Sequence, residues 1–555
     1  MKIRSIIKLI RLVSILSFLF MSKSNAQESI SAAQWQEDLR YLQKTVHSKF
    51  PQLFKKISAA DFDTEVEKLY KEIPNLEAHE VPAGLARMVS LFEYGHSQIT
   101  FGTVAQDKIL PINLYQFSDG VYIEGAHKDY QKAIGARVVA IEGIPIEKVF
   151  RMIRPVVPVE NDQYFKAYGV RFATLPTVLH AQGVTEELKS TIEFTLEKNG
   201  KRFKQTIKSV ELKEMSTDYC LTIPNEQWES ARSQAVTPLY LKDLNEKFYF
   251  FEYLADSKVL YVRQSSVFND EKESLADFYK RLFEFIDTNE IEKLVYDCRL
   301  NGGGNNYNNK AFIKGIMARP KVNTKGKFFY IIGRNTFSAA QNLTNEIENY
   351  TEAIIVGEPT AENKNFYGDA RRVTLPNSRI NAYLSYAWWQ DVPQWENKDW
   401  TIPNIAVDMS FDQYSKNEDP ILEAALKYTD TGFILNPLDH LTQLFLAGKY
   451  GEVKQAAKEI ASNPQYKYYD FEKEFGQAGN RLFENGNVQG GLFVLELITE
   501  VYPKSASALY SLGYAQEQSK QLEAAKKSYQ AIIDIDSKST LAKAAKGRID
   551  SLNNK

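Results

Sequence analysis

Phe328-Phe329-Tyr330-Ile331-Ile332-Gly333-Arg334-Asn335-Thr336-Phe337-Ser338-Ala339-Ala340-Gln341-Asn342-Leu343-Thr344-Asn345-Glu346-Ile347 reads as a strand, a short turn and a helix. The opening run is apolar and aromatic, as expected of a buried strand. The closing run has a helical pattern, and Ser338 stands where that helix begins. A hydroxyl there lies near unpaired backbone N–H groups and the positive end of the helix dipole. Both favour an oxyanion forming next to it, which is what an activated serine needs. The competing reading is that Ser338 or Thr336 only caps the helix.

Working outward, strands alternate with helices from about Leu239 to Leu426. Lys258–Val262 and Lys293–Asp297 read as strands, and Leu275 to Ile286 as an amphipathic helix. This alternation predicts a largely parallel, helix-covered sheet. Upstream, from about Gln27 to Phe92, Trp35, Leu39, Leu42 and Val46 recur at helical spacing, as do Phe62, Val66 and Leu69. From Ile109 to about Val210 short strands take over. The hairpin turn Asn199-Gly200 separates two of them, and a strand ending at Glu142-Gly143 leads into the helical Glu147–Phe150. That last segment resembles part of a PDZ domain, which would imply peptide binding by strand addition. An ordinary hairpin plus helix is the alternative.

After about Leu438 the chain is helical and repetitive. Ala478-Gly479, Gly491, Leu495, Ile498 and Pro503 align, shifted by 34 residues, with Leu512-Gly513, Ala525, Tyr529, Ile532 and Ser537. This period resembles tetratricopeptide repeats. Such repeats stack to bury their faces, and imply a protein partner or a role in shaping access to a site.

The expected fold class is thus multidomain α/β. Residues 1–26 read as a signal peptide, 27–108 as a helical N-terminal cap, and 109–235 as a PDZ-like, β-rich segment. Residues 236–436 form the α/β core and 437–555 the helical repeats. The signal peptide rests on Lys2, Arg4, Lys8 and Arg11, the apolar run Leu12–Met21, and Ser24-Asn25-Ala26 as a cleavage site. The run is too short to span a bilayer, so export to periplasm or medium is expected, with no stable membrane insertion after cleavage.

Composition is ordinary for globular protein, at 44% hydrophobic and 25% charged residues. A net charge of −2 offers no global field for nucleic acid or anionic lipid. Two cysteines, Cys220 and Cys298, and six histidines do not suggest a metal or disulfide framework, and no cofactor is expected.

Four landmarks follow one another. They are Gly95-His96-Ser97, Asp297-Cys298-Arg299-Leu300-Asn301-Gly302-Gly303-Gly304, Phe337-Ser338-Ala339-Ala340, and Gly357-Glu358-Pro359-Thr360 with Leu375-Pro376-Asn377-Ser378 beyond. In this order they resemble the tail-specific, or C-terminal processing, serine protease family, including its tricorn-core branch. The resemblance covers roughly Trp35 to Leu426. It implies a serine peptidase acting on a peptide or protein without a cofactor, with Ser338 as nucleophile. It also implies an oxyanion hole from the amides of Ala339 and of Gly302 or Gly303, where the absence of Cβ lets backbone approach a ligand.

The family's base is either a downstream lysine or an upstream histidine. The lysine position falls on Asn363, with Lys364 one residue out of register. Glu362 and its polar neighbours make this loop read as solvated, so Lys364 is expected at the surface. His96 occupies the histidine position, with Tyr94 where an acid is usual, and imidazole titrates near neutrality. Glu396, 58 residues after Ser338, matches the interval of the tricorn-like glutamate that would orient the base, with Asp399, Asp391 and Asp369 as competitors. Two other functions remain open: a retired fold that binds peptide as a scaffold, and an esterase-like hydrolase.

Overall fold

The computed structural model describes residues 30–99, 108–233, 236–395, 398–429 and 434–553. The signal-peptide segment lies outside these residues. None of the described helices is long and apolar enough to cross a membrane. The protein is a mixed α/β chain of two compact units with a helical C-terminal region. The first unit takes in the described residues up to Gln116, then Gly120–Ala231 and Asn365–Gln390. The second takes in Phe117–Asp119, Arg232–Lys364 and Asp391 onward.

In the first unit, helices Ala32–Lys49 and Ala59–Glu72 bury the apolar stripes read from the sequence, and helix Glu80–Ser90 is buried along most of its length. Ser31 and Gln34 form a reciprocal capping box, and Ser58 Oγ accepts the Asp61 N–H at 3.1 Å. An antiparallel sheet follows, in the order Trp228–Ser230, Gly120–His127, Arg137–Ile141, Thr191–Lys198 and Lys201–Lys208. Ile192, Phe194 and Leu196 alternate inward along one strand. Both predicted turns need left-handed backbone: Asn199-Gly200 has φ of +52° and +72°, and Glu142-Gly143 +49° and +77°. Helix Ile146–Ile153 follows the second turn.

The hairpin Phe366–Thr374 and Asn381–Trp389 was expected within the core, but belongs to this first unit. Its edge is completed by Gln98–Ile99, paired antiparallel with Tyr383 and Ala382. Its turn is held by Asp38, whose fully buried carboxylate accepts the Asn377 and Ser378 N–H groups, both at 2.8 Å. A helix residue thereby satisfies two turn amides from far along the chain. Asp38→Ala is expected to cost ~1–3 kcal/mol, because it strands those donors. Chemical unfolding of wild type and variant measures it, and an unchanged midpoint would show that the turn holds itself.

The second unit is built on a six-stranded sheet: Tyr249–Leu254, Val259–Gln264, Lys293–Asp297, Phe328–Ile332, Ile354–Gly357 and Ile405–Ala406. The first pairing is antiparallel and the others parallel. Alternate residues feed two cores. Leu260, Leu294, Phe328, Tyr330 and Ile332 pack with helices Leu275–Thr288, Lys310–Met317 and Ala339–Tyr350. Tyr261, Val295, Phe329 and Ile331 pack with Ile421, Leu422 and Ala425 of helix Pro420–Lys427. Burial on both faces is why these strands read as continuous apolar runs rather than alternating ones.

Helices Phe471–Glu484, Val488–Val501, Ala506–Gln518 and Leu522–Ile535 form two successive pairs. A Cβ on Gly479 would lie 2.8 Å from Leu495, and one on Gly513 2.8 Å from Tyr529. These contacts repeat at the 34-residue interval, and explain why a glycine is needed at each close helix crossing. The helices after Asn436 were expected to be separable, yet they share the second unit. Asp408 accepts from Tyr468 and pairs with Lys467 at 2.6 Å, and Lys398 pairs with Glu474.

Candidate active site

The strand Phe328–Ile332 ends in a turn held by its own hydroxyl and by several of its amides. Gly333 N–H donates to Thr336 Oγ1 (3.1 Å), Thr336 Oγ1 donates to Cys298 O (2.9 Å), and Phe337 N–H donates to Asn301 O (3.1 Å). The Thr336 hydroxyl is therefore part of the turn and not a helix cap. Ser338 follows with φ +57° and ψ −128°, immediately before helix Ala339–Tyr350, and its side chain makes no capping bond. An L-residue at this positive φ and negative ψ costs ~1–3 kcal/mol. Such strain persists only where neighbours over-determine it. Here Glu362, fully buried, accepts the Ser338 N–H, and Ala361 N–H donates to Thr336 O at 3.2 Å. The next loop is pinned in turn by the buried pair Arg334–Glu358 at 2.7 Å and by Thr401 N–H donating to Thr360 Oγ1 at 3.0 Å.

The glycine run lies against this elbow. Arg299 is buried between Asp297 (2.7 Å) and Asp419 (2.8 Å), and Tyr261 Oη donates to Asp297 at 2.8 Å. Burial pulls the Arg299 pKa down, but the two carboxylates hold it well above its usual value. This fixes the start of the loop. Gly303 has φ +101°, and a Cβ on it would lie 2.6 Å from Ser338 Cβ, 2.8 Å from Phe337 O and 2.9 Å from Ala339 N. Ser338, Gly303 and Ala339 are thus brought together. Gly303 N–H, however, donates to Asn301 Oδ1 at 3.0 Å, so it is already engaged. Gly302 is exposed, with open space where a Cβ would stand. The first-turn N–H of Ala339 has no acceptor within its helix. Gly303→Ala is expected to lower stability by ~2 kcal/mol through left-handed strain and overlap. It should also lower turnover by about a hundredfold, because Ser338 must move. A wild-type turnover rate in this variant would show that the close approach is not required.

His96 lies in the first unit, in a turn held from both sides. Glu160, buried, accepts the Gly95 N–H at 2.7 Å, and Tyr164 Oη donates to Gly95 O at 3.1 Å. Ser97, fully buried, accepts the Ser385 N–H at 3.1 Å. The imidazole stacks on Phe366, with centroids 6.0 Å apart and planes 8° apart. Burial lowers the His96 pKa below its ordinary value, against the opposing pull of Glu160 and Asp369.

Lys364 departs from expectation. It is buried rather than solvated, and its ammonium pairs with Glu348. Its backbone N–H donates to Lys398 O at 3.0 Å, and its carbonyl accepts from Asn345 Nδ2 at 2.7 Å. Burial lowers its pKa, while Glu348 favours the charged form. Glu396 lies outside the described residues. Of its competitors, Asp391 accepts from Asn345 Nδ2 at 2.6 Å, Asp369 accepts from Trp389 Nε1 at 3.0 Å, and Asp399 is exposed. Asn301 lies in the glycine landmark and Glu362 in the loop read as solvated, but no role was expected of either, and Glu160 went unnoticed in the sequence. Their roles depend on burial and on long-range pairing, which residue type alone does not reveal.

The chain matches no family model and no curated protein. Among solved structures it is similar to mature CPAF, at 13% identity over 73% of this chain and 99% of that chain, with a TM-score of 0.47. It is also similar to the photosystem II D1 C-terminal processing protease, at 12% identity, 67% and 93% coverage, and a TM-score of 0.34. A putative peptidase from Parabacteroides merdae has 14% identity, 71% and 97% coverage, and a TM-score of 0.35. These are likenesses in the arrangement of the chain. The chemistry assigned below rests on this protein's own residues.

Proposed function

We propose that this protein is an exported serine peptidase of the tail-specific type, with Ser338 as nucleophile and His96 as general base. The observation that carries the reading is the backbone of Ser338. A serine forced into left-handed conformation at a helix start, not used as a cap, and braced by Glu362 and Gly303, is arranged for reaction rather than for stability. In the proposed reaction Ser338 Oγ attacks the substrate carbonyl carbon, and His96 accepts the hydroxyl proton. The Ala339 and Gly302 amides face the developing oxyanion. Collapse breaks the C–N bond, and His96 returns the proton to the leaving amine. Water then cleaves the acyl-enzyme by the same steps, with no cofactor. Either Glu396 or one of its aspartate competitors orients the imidazole. The PDZ-like segment and the tetratricopeptide-like helices are assigned to peptide and protein partners.

The buried Lys364 gives a serine–lysine dyad one observation in its favour, its lowered pKa. The Glu348 ion pair opposes it, because a base must be neutral and the pair holds the proton. The test of the proposal is reaction of the intact protein with a fluorophosphonate. A single adduct located on Ser338 by mass spectrometry is expected. Absence of any adduct on folded protein would refute the assignment and favour a binding scaffold.

A further inference from the structure

We propose that His79 and His180 form an acid-sensitive latch between two helices of the first unit, and that its opening loosens the turn carrying His96. His79 stands at the start of helix Glu80–Ser90, and His180 in the last turn of helix Pro176–Ala181. Their rings meet through His79 Nε2 and His180 Nδ1, 2.7 Å apart, with ring centroids 5.0 Å apart. The two side chains are only 10% and 11% exposed.

A contact this short between two imidazole nitrogens needs one proton between them. One nitrogen donates, and the other accepts with a bare lone pair. The pair is therefore compatible with two neutral rings or with one imidazolium. Two imidazoliums would set N–H against N–H and bring like charges together out of water, so the second proton must break the contact. Burial, and after it His180, lowers the His79 pKa from its ordinary value, against the pull of Glu77 and Glu80. Position acts in the same sense, because a charge on His79 would face the positive end of its own helix. The latch is whole above the ordinary histidine value and is lost as pH falls through the lowered one.

Glu77 Oε2 lies 3.6 Å from His79 Nδ1 and Glu80 Oε1 4.0 Å from His180 Nδ1, while Glu80 Oε2 accepts the Glu77 N–H at 2.7 Å. Neither separation from a ring is a hydrogen bond, so the ring-to-ring contact is the polar link between the histidines' helices. On the elements packed against these helices, Arg171 is exposed, and Lys108, Arg154 and Arg87 pair with Glu211, Asp162 and Glu72. Helix Glu80–Ser90 also packs on Gln98–Ile99, so the His96 turn joins the latched helix to a strand resting on it. Regulation of turnover by this route rests on the reading of His96 as base.

The experiment is amide hydrogen exchange of the full-length protein, corrected for the intrinsic effect of pH. Between about pH 7.5 and about pH 5, protection of residues 79–90 and 176–181 should fall about tenfold in wild type. In H79Q, whose amide can hold the contact but takes no proton, the fall should be less than about threefold. H96Q should keep the wild-type loss. Constant wild-type protection overturns the latch, as does an equal loss in H79Q or a loss that disappears in H96Q. If H79Q does not fold, H180Q takes its place with the same expectations. Fluorophosphonate labelling reads the link to His96. Over the same range the wild-type rate, relative to H79Q, should fall about threefold. A constant ratio overturns that link. Failure of the wild-type protein to label would remove the nucleophile assignment itself, and is read separately from exchange, which needs no catalysis.

Discussion

Purified Ser338→Ala is expected to lose hydrolysis by at least about four orders of magnitude while remaining folded. The hydroxyl has no capping duty in its helix, so its removal opens no helix end. The backbone bonds that fix the elbow, Ser338 N–H to Glu362 and Phe337 N–H to Asn301, do not use the side chain. Ser338→Gly sharpens the test. Glycine adopts φ +57° without the Cβ penalty, so this variant should be equally inactive but more stable than wild type by ~1 kcal/mol. Gain of stability with loss of activity at one position is the mark of a strained functional site. Substantial activity in either variant, measured on a peptide that wild type cleaves, would end the assignment.

Much of the architecture was legible because it follows from local pattern. The strand Phe328–Ile332 and helix Ala339–Tyr350 were readable from an apolar run and a helical repeat. So were the Asn199-Gly200 turn, which needs left-handed backbone, and the 34-residue recurrence that brings Gly479 to Leu495 and Gly513 to Tyr529. What the sequence did not reveal is long-range partnership. Asn365–Gln390 follows the core in sequence but joins the first unit, because its strand edge and its turn are satisfied by Gln98–Ile99 and Asp38. Lys364 and Glu362 sit in a polar loop that looks solvated. Both are buried because Glu348 pairs with the lysine and the Ser338 amide donates to the glutamate. The glycine run announced close approach, but not which amide Asn301 had already taken.

His96→Ala is expected to lose activity nearly as completely as Ser338→Ala, because a nucleophile and its base act as one unit. Lys364→Met should keep activity within about tenfold, its loss being one of packing around Glu348 rather than of chemistry. The reverse ranking would establish the lysine dyad. The pH profile separates the two bases independently. A histidine acts as base only when neutral, and burial lowers the His96 pKa, so the acidic limb of kcat/KM should lie below the ordinary histidine value of 6.5. For Lys364 the limb would instead be set by burial, which lowers its pKa from the ordinary lysine value of 10.5, against Glu348, which favours the charged form. The lowered His96 pKa has a consequence for stability. Below the unfolded-state value the unfolded chain binds the proton more readily than the folded one. The stability that His96 contributes while neutral is therefore present above that value, and is lost as pH falls through the folded pKa. His96→Gln, which cannot titrate, should flatten this part of the stability curve as well as abolish turnover. A limb at or above 6.5, with stability unaltered between the variant and wild type across that range, would show that His96 is neither desolvated nor the base.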